Sequence, residues 1–533
     1  MNIIEIKQTC DKLFGERSTL MSTWQEIANN FYPERADFTY QRTLGSEFAG
    51  DLLSSYPIMI RRDLGNQLGS MLRPAGAEWF DMGLTDDDYL DTEGKQFFDW
   101  VTKLMRREMY DRKSKFTRAT KEEDHDYACF GQSVISTTPN RYADHLLYKC
   151  WHIKDCAWQE NYDGDITFFV RKWKSKARDL VNTFRDKVDP KVTRLASKEP
   201  FAEVLCYHIV CEADYYDEKT DKPYWSLFYD CDHEKLIEAT AMFDFEYSVS
   251  RWETVSGSQY AYSPATITAL PDARLIQSIT LTLLEAGEKA VNPPLVATSD
   301  AIKSDAALYA GGITWVDRDY DERLGDALRP LTQDFRGLPY GFEMIGDVRE
   351  MIRSCFYLDK LALPINAPEM TAFEVGQRVS DYIRQAMPIF EPMEIDRNGQ
   401  LCEQTFQRML RMGKFGDIKN KLPKSLSGKP YMFSFQSPLH EAIEAQKGQK
   451  FQHAQGLLAE AAALDGTATA ILDVKTAIRD SLEGIGIPAK WTRSVQDVEE
   501  IEQSNQAQAQ QQAELDKMEQ GAEIAAKVAS ANG

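Results

Sequence analysis

The sequence contains no long apolar segment and no recognisable leader. No run of about 18 apolar residues occurs in the 533-residue chain, so the sequence predicts no membrane-spanning helix and no membrane partner. The opening residues, Met1 to Lys7, lack the basic region and the long apolar region of a signal peptide. We therefore expect synthesis and residence in a cytoplasm.

Motifs of the common enzyme classes are also missing. The chain has no GxGxxG, GxSxG or HExxH sequence. The segment from Lys424 to Pro430 imitates the end of a Walker A loop, but Pro423 stands where that loop needs glycine and Pro430 where it needs a magnesium-binding hydroxyl. A turn before a strand is the expectation here. The sequence predicts no enzyme activity, and an enzyme with an unfamiliar active site is the less favoured alternative.

A disulfide framework is not indicated either. The nine cysteines are scattered and odd in number, which favours reduced, buried thiols. Two groups of residues contain soft metal ligands. The first is Cys150, His152 and Cys156, and the second is Cys206, His208 and Cys211. Neither group has the paired two-residue gaps of a structural zinc site. We expect buried thiols and partnered histidines in ordinary strands, with no metal and no cofactor.

Basic residues are in deficit, with a net charge of −21. A protein that grips DNA phosphates is normally basic over at least one face, so tight or sequence-specific DNA binding is not expected. An acidic chain can still handle DNA if its task is to let the duplex slide. Charge alone does not separate that role from indifference to DNA.

Four local charge runs leave alternatives open. The acidic runs 86–88 and 122–126 could bind a divalent ion, although a solvated turn and a helix surface are favoured. The basic runs 106–118 and 171–178 are the only plausible phosphate patches. An outer face of alternating charge is favoured for both, and contact with an acidic neighbouring subunit would explain them equally well.

The chain is long enough to form two to four domains. Apolar periodicity predicts helices over 3–31, 52–72, 92–112, 114–128, 394–412, 438–466 and 468–482. Stretches rich in β-branched and aromatic residues predict strands over 130–138, 165–170, 202–211 and 224–231. Thr371 and Glu374 form a capping box that opens a further helix. The fold class predicted is therefore α+β and predominantly helical.

The most informative stretch is a helix, an insert and a returning helix. The first helix is predicted over 270–290, with Pro271 and Asp272 in its first turn, and the second over 342–360. The insert, 291–340, contains Asn292-Pro293-Pro294, and two prolines make 361–369 a loop. Each helix carries one apolar stripe. The stripes alone favour a core, while packing between subunits is the competing interpretation.

Several motifs follow one another in an order typical of one family. They are Arg17 with Trp24–Ala28 and Pro33, Leu72–Phe80, Phe245–Pro264, Met370–Val375, Ser437–Leu439, and a tail rich in glutamine and alanine. With the helix, insert, helix and proline-loop order, they resemble the head-to-tail connecting (portal) proteins of short-tailed, podovirus-like bacteriophages. The resemblance extends from Arg17 to the tail.

The resemblance implies a portal fold of wing, stem, clip and crown or barrel, assembled as a closed ring of twelve copies around a channel. The regions would be an N-terminal α/β wing (1–266), stem helices (267–290 and 341–360), a clip (291–340), a tunnel loop (361–369), wing helices (370–430), a crown (431–494) and a C-terminal barrel helix or disordered tail (495–533).

Site residues follow from the same resemblance. The tunnel loop would place Lys360, Leu361, Pro364, Ile365 and Asn366 at the DNA channel. The interface between stem helices of neighbouring copies would be formed by Leu275, Ile279, Leu283, Val348, Met351 and Ile352.

The function implied is a channel at one capsid vertex for packaging and ejecting double-stranded DNA without sequence-specific contacts. The partners implied are further copies of the chain, the terminase large subunit, major capsid and scaffolding proteins, tail or adaptor proteins, and internal core proteins. The protein would be assembled in the host bacterial cytoplasm and become part of the virion. Another virion structural protein, such as a minor capsid or tail component, is the alternative.

Overall fold

The chain divides into two compact units. The computed structural model describes residues 1–85, 92–297, 337–361 and 393–435, apart from single positions within 42–48 and at 75, 77 and 141. Outside these ranges it describes the strand Leu328–Pro330 and a few isolated positions. The first unit comprises Met1–Ala75 and Glu108–Met412, and the second comprises Gly76–Arg107 and Gly413–Gly533.

Helices and strands are both abundant, in agreement with a mixed fold. The helices are α1 Ile3–Glu16, α2 Ser18–Phe31, α3 Tyr56–Leu72, α4 Thr92–Met109, α5 Phe116–Phe130, α6 Ala177–Phe184, α7 Pro190–Lys198, α8 Pro264–Val291, α9 Leu338–Cys355, α10 Leu358–Leu361, α11 Gln400–Arg411 and α12 Ile418–Lys421. A π-helical segment, Met393–Gly399, precedes α11.

The strands are mostly short. They are β1 Phe80–Leu84, β2 Gln132–Pro139, β3 Leu146–Trp151, β4 Cys156–Glu160, β5 Ile166–Lys176, β6 Glu203–Glu212, β7 Tyr224–Asp230, β8 Lys235–Met242, β9 Tyr247–Arg251, β10 Glu253–Thr254, β11 Ala261–Tyr262, β12 Leu295–Ala297, β13 Leu328–Pro330 and β14 Tyr431–Phe435.

The largest sheet of the first unit has five antiparallel strands in the order β4-β5-β6-β7-β8. Side chains alternate across it, so the two faces build separate cores. One face packs under α1 through Ile6, Cys10 and Leu13. The other is covered by α6 and α7, with Leu180 and Val192 in that core. The sheet is therefore a middle layer between helices.

A second sheet of three strands has the order β3-β2-β9. Helix α5 leads directly into β2 through Gly131, whose φ of +69° lies in the left-handed region. A Cβ atom at this position would lie 1.9 Å from the carbonyl carbon of Tyr262. Only glycine fits where α5 ends against the chain that enters α8.

Three predicted helices differ clearly in their bounds from the structure. The predicted helix 3–31 is divided at Arg17, whose guanidinium Nη1 donates to the carbonyl of Ile153 at 2.8 Å. Arg17 is 3% exposed, so this cation is satisfied by backbone oxygens inside the fold. The division allows α1 to pack on the sheet while α2 packs elsewhere.

The sequence predicted that helix α8 begins near Pro271, but it begins at Pro264. Ser263 Oγ accepts a hydrogen bond from the Thr266 amide at 3.4 Å, and Pro264 occupies the first turn. The signature that pointed to Pro271 is therefore present seven residues earlier, about two helical turns. Pro271 lies inside the helix and is exposed. Because proline has no backbone N–H, the helix lacks the hydrogen bond that another residue would donate there.

The returning helix also differs from its predicted bounds. α9 begins at Leu338 and ends at Cys355, because Tyr357 has a φ of +58° and separates it from α10. Residues 338–340 therefore belong to this helix rather than to the insert. Apart from Leu295–Ala297, Leu328–Pro330 and isolated positions, the predicted clip lies outside the described residues.

The second unit contains a two-stranded antiparallel ribbon, in which Phe80 of β1 lies opposite Phe435 of β14. Most of α4 belongs to this unit, where Trp100 lies 6.1 Å from Phe415 between ring centroids. The segment imitating a Walker A loop is a short 3-10 helix and turn before β14, as expected. The predictions for 370–392, for the crown beyond Phe435 and for the tail lie outside the described ranges.

Candidate functional site

The candidate site is the pair formed by α8 and α9, because it presents apolar side chains that the chain does not cover. Along α8, positions 266, 270, 273, 277, 281, 284, 288 and 291 are spaced by three or four residues, so they form one stripe on a single side of the helix. Thr266, Leu270 and Ala273 in the first half of the stripe are buried. Leu281, Leu284 and Val291 in its second half are 47%, 52% and 88% exposed.

The buried half of α8 is fixed by hydrogen bonds as well as by packing. Ser263 Oγ donates to the carbonyl of Ala128 at 2.8 Å, and Thr266 Oγ1 donates to that of Cys129 at 2.7 Å. Farther along, Gln277 Oε1 accepts from the amides of Leu53 and Ser54, both at 2.8 Å. Its Nε2 donates to the Ser54 carbonyl at 2.9 Å. Among the hydrogen bonds of the described residues, those of Gln277 are the last along the stripe that connect α8 to another part of the chain.

Helix α9 returns along α8 and is fixed at its far end. Phe356, which is fully buried, lies 5.5 Å from Phe31 between ring centroids. The Tyr56 hydroxyl donates to the carbonyl of Arg349 at 3.0 Å. At the opposite end, a Cβ on Gly341 would lie 2.6 Å from Leu283 Cδ2, so the helices touch closely there.

A cleft of about 470 Å³ follows this contact between the two helices. Ile279 and Leu283 line it from α8, and Tyr340, Gly341 and Met344 from α9. Its wall is mostly apolar, and it has no cluster of titratable groups to perform a reaction. The cleft is a binding surface rather than a reaction site.

Exposed apolar residues continue from the stripe onto α9, where Tyr340 and Phe342 are 70% and 66% exposed. We call the following set the paired-helix surface: Leu275, Leu281, Leu284, Val291, Tyr340, Phe342, Met344 and Met351. On α8, Leu281, Leu284 and Val291 share one side of the helix, and such a row of exposed apolar side chains is a candidate contact site for another macromolecule.

The six residues expected at a subunit interface do not share one environment. Leu275 and Met351 are exposed and belong to the paired-helix surface. Ile279 and Leu283 are half-buried and line the cleft. Val348 and Ile352 are buried inside the chain itself, so they offer no surface to another copy in this structure. Periodicity alone did not separate the inward row of α9 from the neighbouring exposed row.

The five residues expected at the channel lie at the edge of the described chain. Lys360 and Leu361 end α10, so Leu361 is helical rather than part of a loop. Pro364, Ile365 and Asn366 lie outside the described residues.

The cysteine and histidine groups are occupied by other contacts. His208 is buried, with its two ring nitrogens 2.6 Å from the Tyr247 hydroxyl and 2.9 Å from Ser226 Oγ. His152 Nε2 lies 2.8 Å from Asp37, and burial raises the pKa of the Cys156 thiol to about 12. Within the described ranges, no group of three His, Cys, Asp or Glu side chains is placed to hold a metal ion.

The acidic run 122–126 is not the solvated helix surface that we predicted. Glu123 and Asp124 are buried, and both pair with Arg397 from the π-helical segment before α11. Arg73 of the first unit also pairs with Asp124, at 2.5 Å. These partners are distant in the sequence, so no local pattern revealed them. The other acidic run, 86–88, lies outside the described residues.

The basic run 171–178 is divided by strand alternation. Arg171 is buried and lies over the Trp151 ring at 3.8 Å, with its Nε 3.0 Å from the Tyr247 hydroxyl. Lys174, Lys176 and Arg178 are exposed. In the other basic run, Arg106 pairs with Glu78 at 2.7 Å.

None of the helices that the structure describes has the length and apolar character needed to cross a bilayer. A sequence model of the bacteriophage head to tail connecting protein family matches residues 4–492. A protein named as a probable portal protein of Bordetella phage BPP-1 is 26% identical over 97% of this chain and 94% of its own length. The portal protein of Salmonella phage epsilon15 is 22% identical over 94% of this chain and 91% of its own length.

Proposed function

Because the chain belongs to the bacteriophage head to tail connecting protein family, we propose that it is the portal of a tailed phage. In this proposal, copies of the chain form a closed ring at one vertex of the capsid. Double-stranded DNA enters and leaves the head through the channel of that ring. The role is structural, and the energy for packaging comes from a terminase that docks on the ring.

The observation that carries the proposal is the stripe on α8 that is buried up to Gln277 and exposed from Leu281 to Val291. Fully burying each leucine stabilises an association by roughly 1.5–3 kcal/mol. In a single chain the exposed leucines of the stripe remain in water, so this free energy of burial is not gained. A neighbouring copy of the same helix pair is the occupant, because a ring needs contacts between two different surfaces of identical subunits.

Twelve copies is the stoichiometry that we propose, and it gives a particle of roughly 0.7 MDa from a 60.8 kDa chain. The net charge of −21 suits a channel that must not hold the duplex. Lys360 and Asn366 are the proposed polar contacts at the channel. The ring would also contact capsid and scaffolding proteins, tail or adaptor proteins and internal core proteins.

The test is the mass of the purified protein by size-exclusion chromatography with light scattering, followed by negative-stain imaging. We expect annular particles of roughly 0.7 MDa, as closed symmetry requires. The variant Leu281→Glu/Leu284→Glu should remain folded, because both side chains are exposed in the single chain. It should fail to form rings.

Tyr142→Glu is the matched control, since Tyr142 is 82% exposed but belongs to the turn between β2 and β3. This variant should assemble like the unaltered protein. A monomer at all concentrations, or rings that tolerate both charges on α8, would contradict the proposal.

A further inference from the structure

The five-stranded sheet has two chemically different ends. In β6, Glu203 and Glu212 are separated by the length of a 10-residue strand, about 30 Å. The antiparallel register places Lys176 of β5 opposite Glu203, and Tyr224 of β7 opposite Glu212. Helices α6 and α7 therefore lie at the first end, and the β4–β5 and β6–β7 connections at the second.

The first end is basic, although the chain as a whole is acidic. Residues 177–198 contain six lysines and arginines against three aspartates. Lys191, Arg194 and Lys198 are exposed and spaced by three and four, so they share one side of α7. Within the described part of the chain, these three residues and the exposed Arg178 and Arg185 have no ion pair.

The basic side chains are not needed to hold α6 and α7 on the sheet. That attachment is apolar and includes Ala177, Leu180, Val188 and Val192, all buried. One cation of the pair of helices, Lys187, is engaged by Glu238 at 2.7 Å. The remaining cations point to a partner rather than to folding, because exposed charges that satisfy no internal acid contribute little to stability.

The second end is acidic. The connections 160–165 and 212–222 contain eight carboxylates against two lysines. Among them, Asp163, Asp165, Asp214, Glu218 and Asp221 are exposed and form no ion pair with any residue that the structure describes. Burial, together with the charges of Asp214 and Asp165, raises the pKa of Glu212. The two connections are thus close enough to repel one another electrostatically.

Each end also carries a large exposed aromatic side chain. Tyr162 lies at the tip of the acidic β4–β5 connection and is fully exposed. Phe201 lies between α7 and β6 at the basic end and is 68% exposed. Aromatic residues surrounded by charges are common anchors of protein interfaces.

We propose that neighbouring copies in the ring meet through these ends, with the basic α6–α7 hairpin of one copy against the acidic connections of the next. This inference rests on the proposed ring. A ring repeats one contact between two different surfaces, and complementary surfaces at opposite ends of one sheet meet that requirement. Pairing them also offsets the repulsion between copies that each carry a charge of −21.

A second copy fits these surfaces better than nucleic acid does. DNA phosphates would pair with α7, but they would leave the acidic end without a partner and would be repelled by it. A second copy uses both ends at once. Nucleic-acid binding by α7 is therefore the outcome to be distinguished in the experiment.

The experiment reverses charge at one end, at the other, and at both. The basic-end variant is Lys191→Glu/Lys198→Glu, the acidic-end variant is Asp163→Lys/Asp214→Lys, and the swap variant carries all four changes. Lys103→Glu/Lys121→Glu is the control, since both lysines are exposed and lie on other elements. Ring formation is measured by light scattering over a range of protein and salt concentrations, with circular dichroism to confirm folding.

We expect each one-end variant to need about tenfold more protein for half-assembly, and the swap variant and the control to assemble like the unaltered chain. The unaltered chain should assemble less well as salt is raised from about 0.05 to 0.5 M, because screening weakens exposed charge pairs.

Two results would overturn the inference while leaving the ring proposal intact. One is that rings form equally well with either end reversed. The other is that Lys191→Glu/Lys198→Glu assembles normally but loses retention of a 30-base-pair duplex, which would make α7 a DNA contact. If the unaltered chain forms no ring at all, the proposed function fails and this inference with it.

Discussion

Arg397 connects two parts of the chain that are distant in sequence. Its guanidinium is buried between Glu123 and Asp124 of α5, and Arg73, which directly follows α3, completes the cluster. Removing one partner of a buried ion pair leaves an uncompensated charge in a place that water does not reach. The cluster therefore fixes the segment at 393–411 to the core of the first unit.

We expect Arg397→Met to lower the free energy of unfolding by about 3–5 kcal/mol, as for other buried pairs that lose one partner. Arg274→Met is the matched control, because Arg274 pairs with Glu26 at an exposed position and should cost about 0–1 kcal/mol. Urea unfolding at neutral pH measures both. Equal losses would show that the buried cluster contributes no more than a surface pair.

The raised pKa of Asp81 in the second unit predicts that the stability of the protein depends on pH. Burial first, and then the nearby Glu78 and Asp99 carboxylates, raise its pKa to about 7. The unfolded pKa is about 4, so the unfolded state gives up its proton first. This group therefore destabilises the folded state increasingly as pH rises from about 4 to about 7, and by a constant amount above that.

Asp81→Asn removes this titration. We expect the stability of the variant relative to the unaltered protein to rise between about pH 4 and pH 7 and then to level off. Urea unfolding at several pH values measures the difference. A difference that does not change with pH would contradict the raised pKa.

Individual side chains are where the sequence was least informative. The cysteines of both groups and His208 lie in strands, as expected, and His208 has two hydrogen-bonding partners, whereas His152 lies just after β3. The burial of Glu123 and Asp124 was not predicted, because their partners Arg73 and Arg397 are brought in by tertiary structure. In the sequence, a run of acidic residues looks the same whether water solvates it or distant arginines pair with it.

Among the elements, the closest approach of α8 and α9 depends on Gly341. We expect Gly341→Ala to lower the free energy of unfolding by about 1–3 kcal/mol, because its Cβ would lie 2.6 Å from Leu283 Cδ2. Gly346→Ala on the same helix has nothing within 4 Å and should stabilise by about 0.5–1 kcal/mol. Thermal unfolding compares them, and two stabilising changes would mean that the helices are not in close contact.

Element type was more predictable than element bounds. Periodicity identified α3, α4, α5 and α11, and it identified β2, β5, β6 and β7. It did not indicate β3, β4, β8 or β9, whose mixed polarity resembles that of loops. The start of α8 was misplaced because two proline signatures lie seven residues apart, at Pro264 and Pro271. Burial of Thr266 and Leu270 decides in favour of the first, and burial is a tertiary property.

The whole molecule is best understood as one part of a larger assembly. It is acidic overall, it leaves the second half of an apolar stripe uncovered, and it separates charge between the ends of its main sheet. Each feature is unfavourable or unused in a single chain. The uncovered stripe and the separated charges become favourable when copies are placed side by side around an axis, as in the proposed ring.

The sequence predicted a ring only through its resemblance to a known family. Periodicity indicated an apolar row on α8 that includes Leu275, Ile279 and Leu283, but not the row from Thr266 to Val291, whose covered and uncovered halves depend on which residues the fold buries. Gln277, the last position of that row with a hydrogen bond to another described segment, has no distinguishing local pattern.

A cryo-electron microscopy reconstruction of the assembled protein, calculated without imposed symmetry, shows whether copies of the chain form a ring. We expect a closed ring around an open channel, with Leu281, Leu284 and Val291 of each copy buried against the next. A closed particle in which these three side chains remain in solvent, or one without an axial opening, would contradict the account.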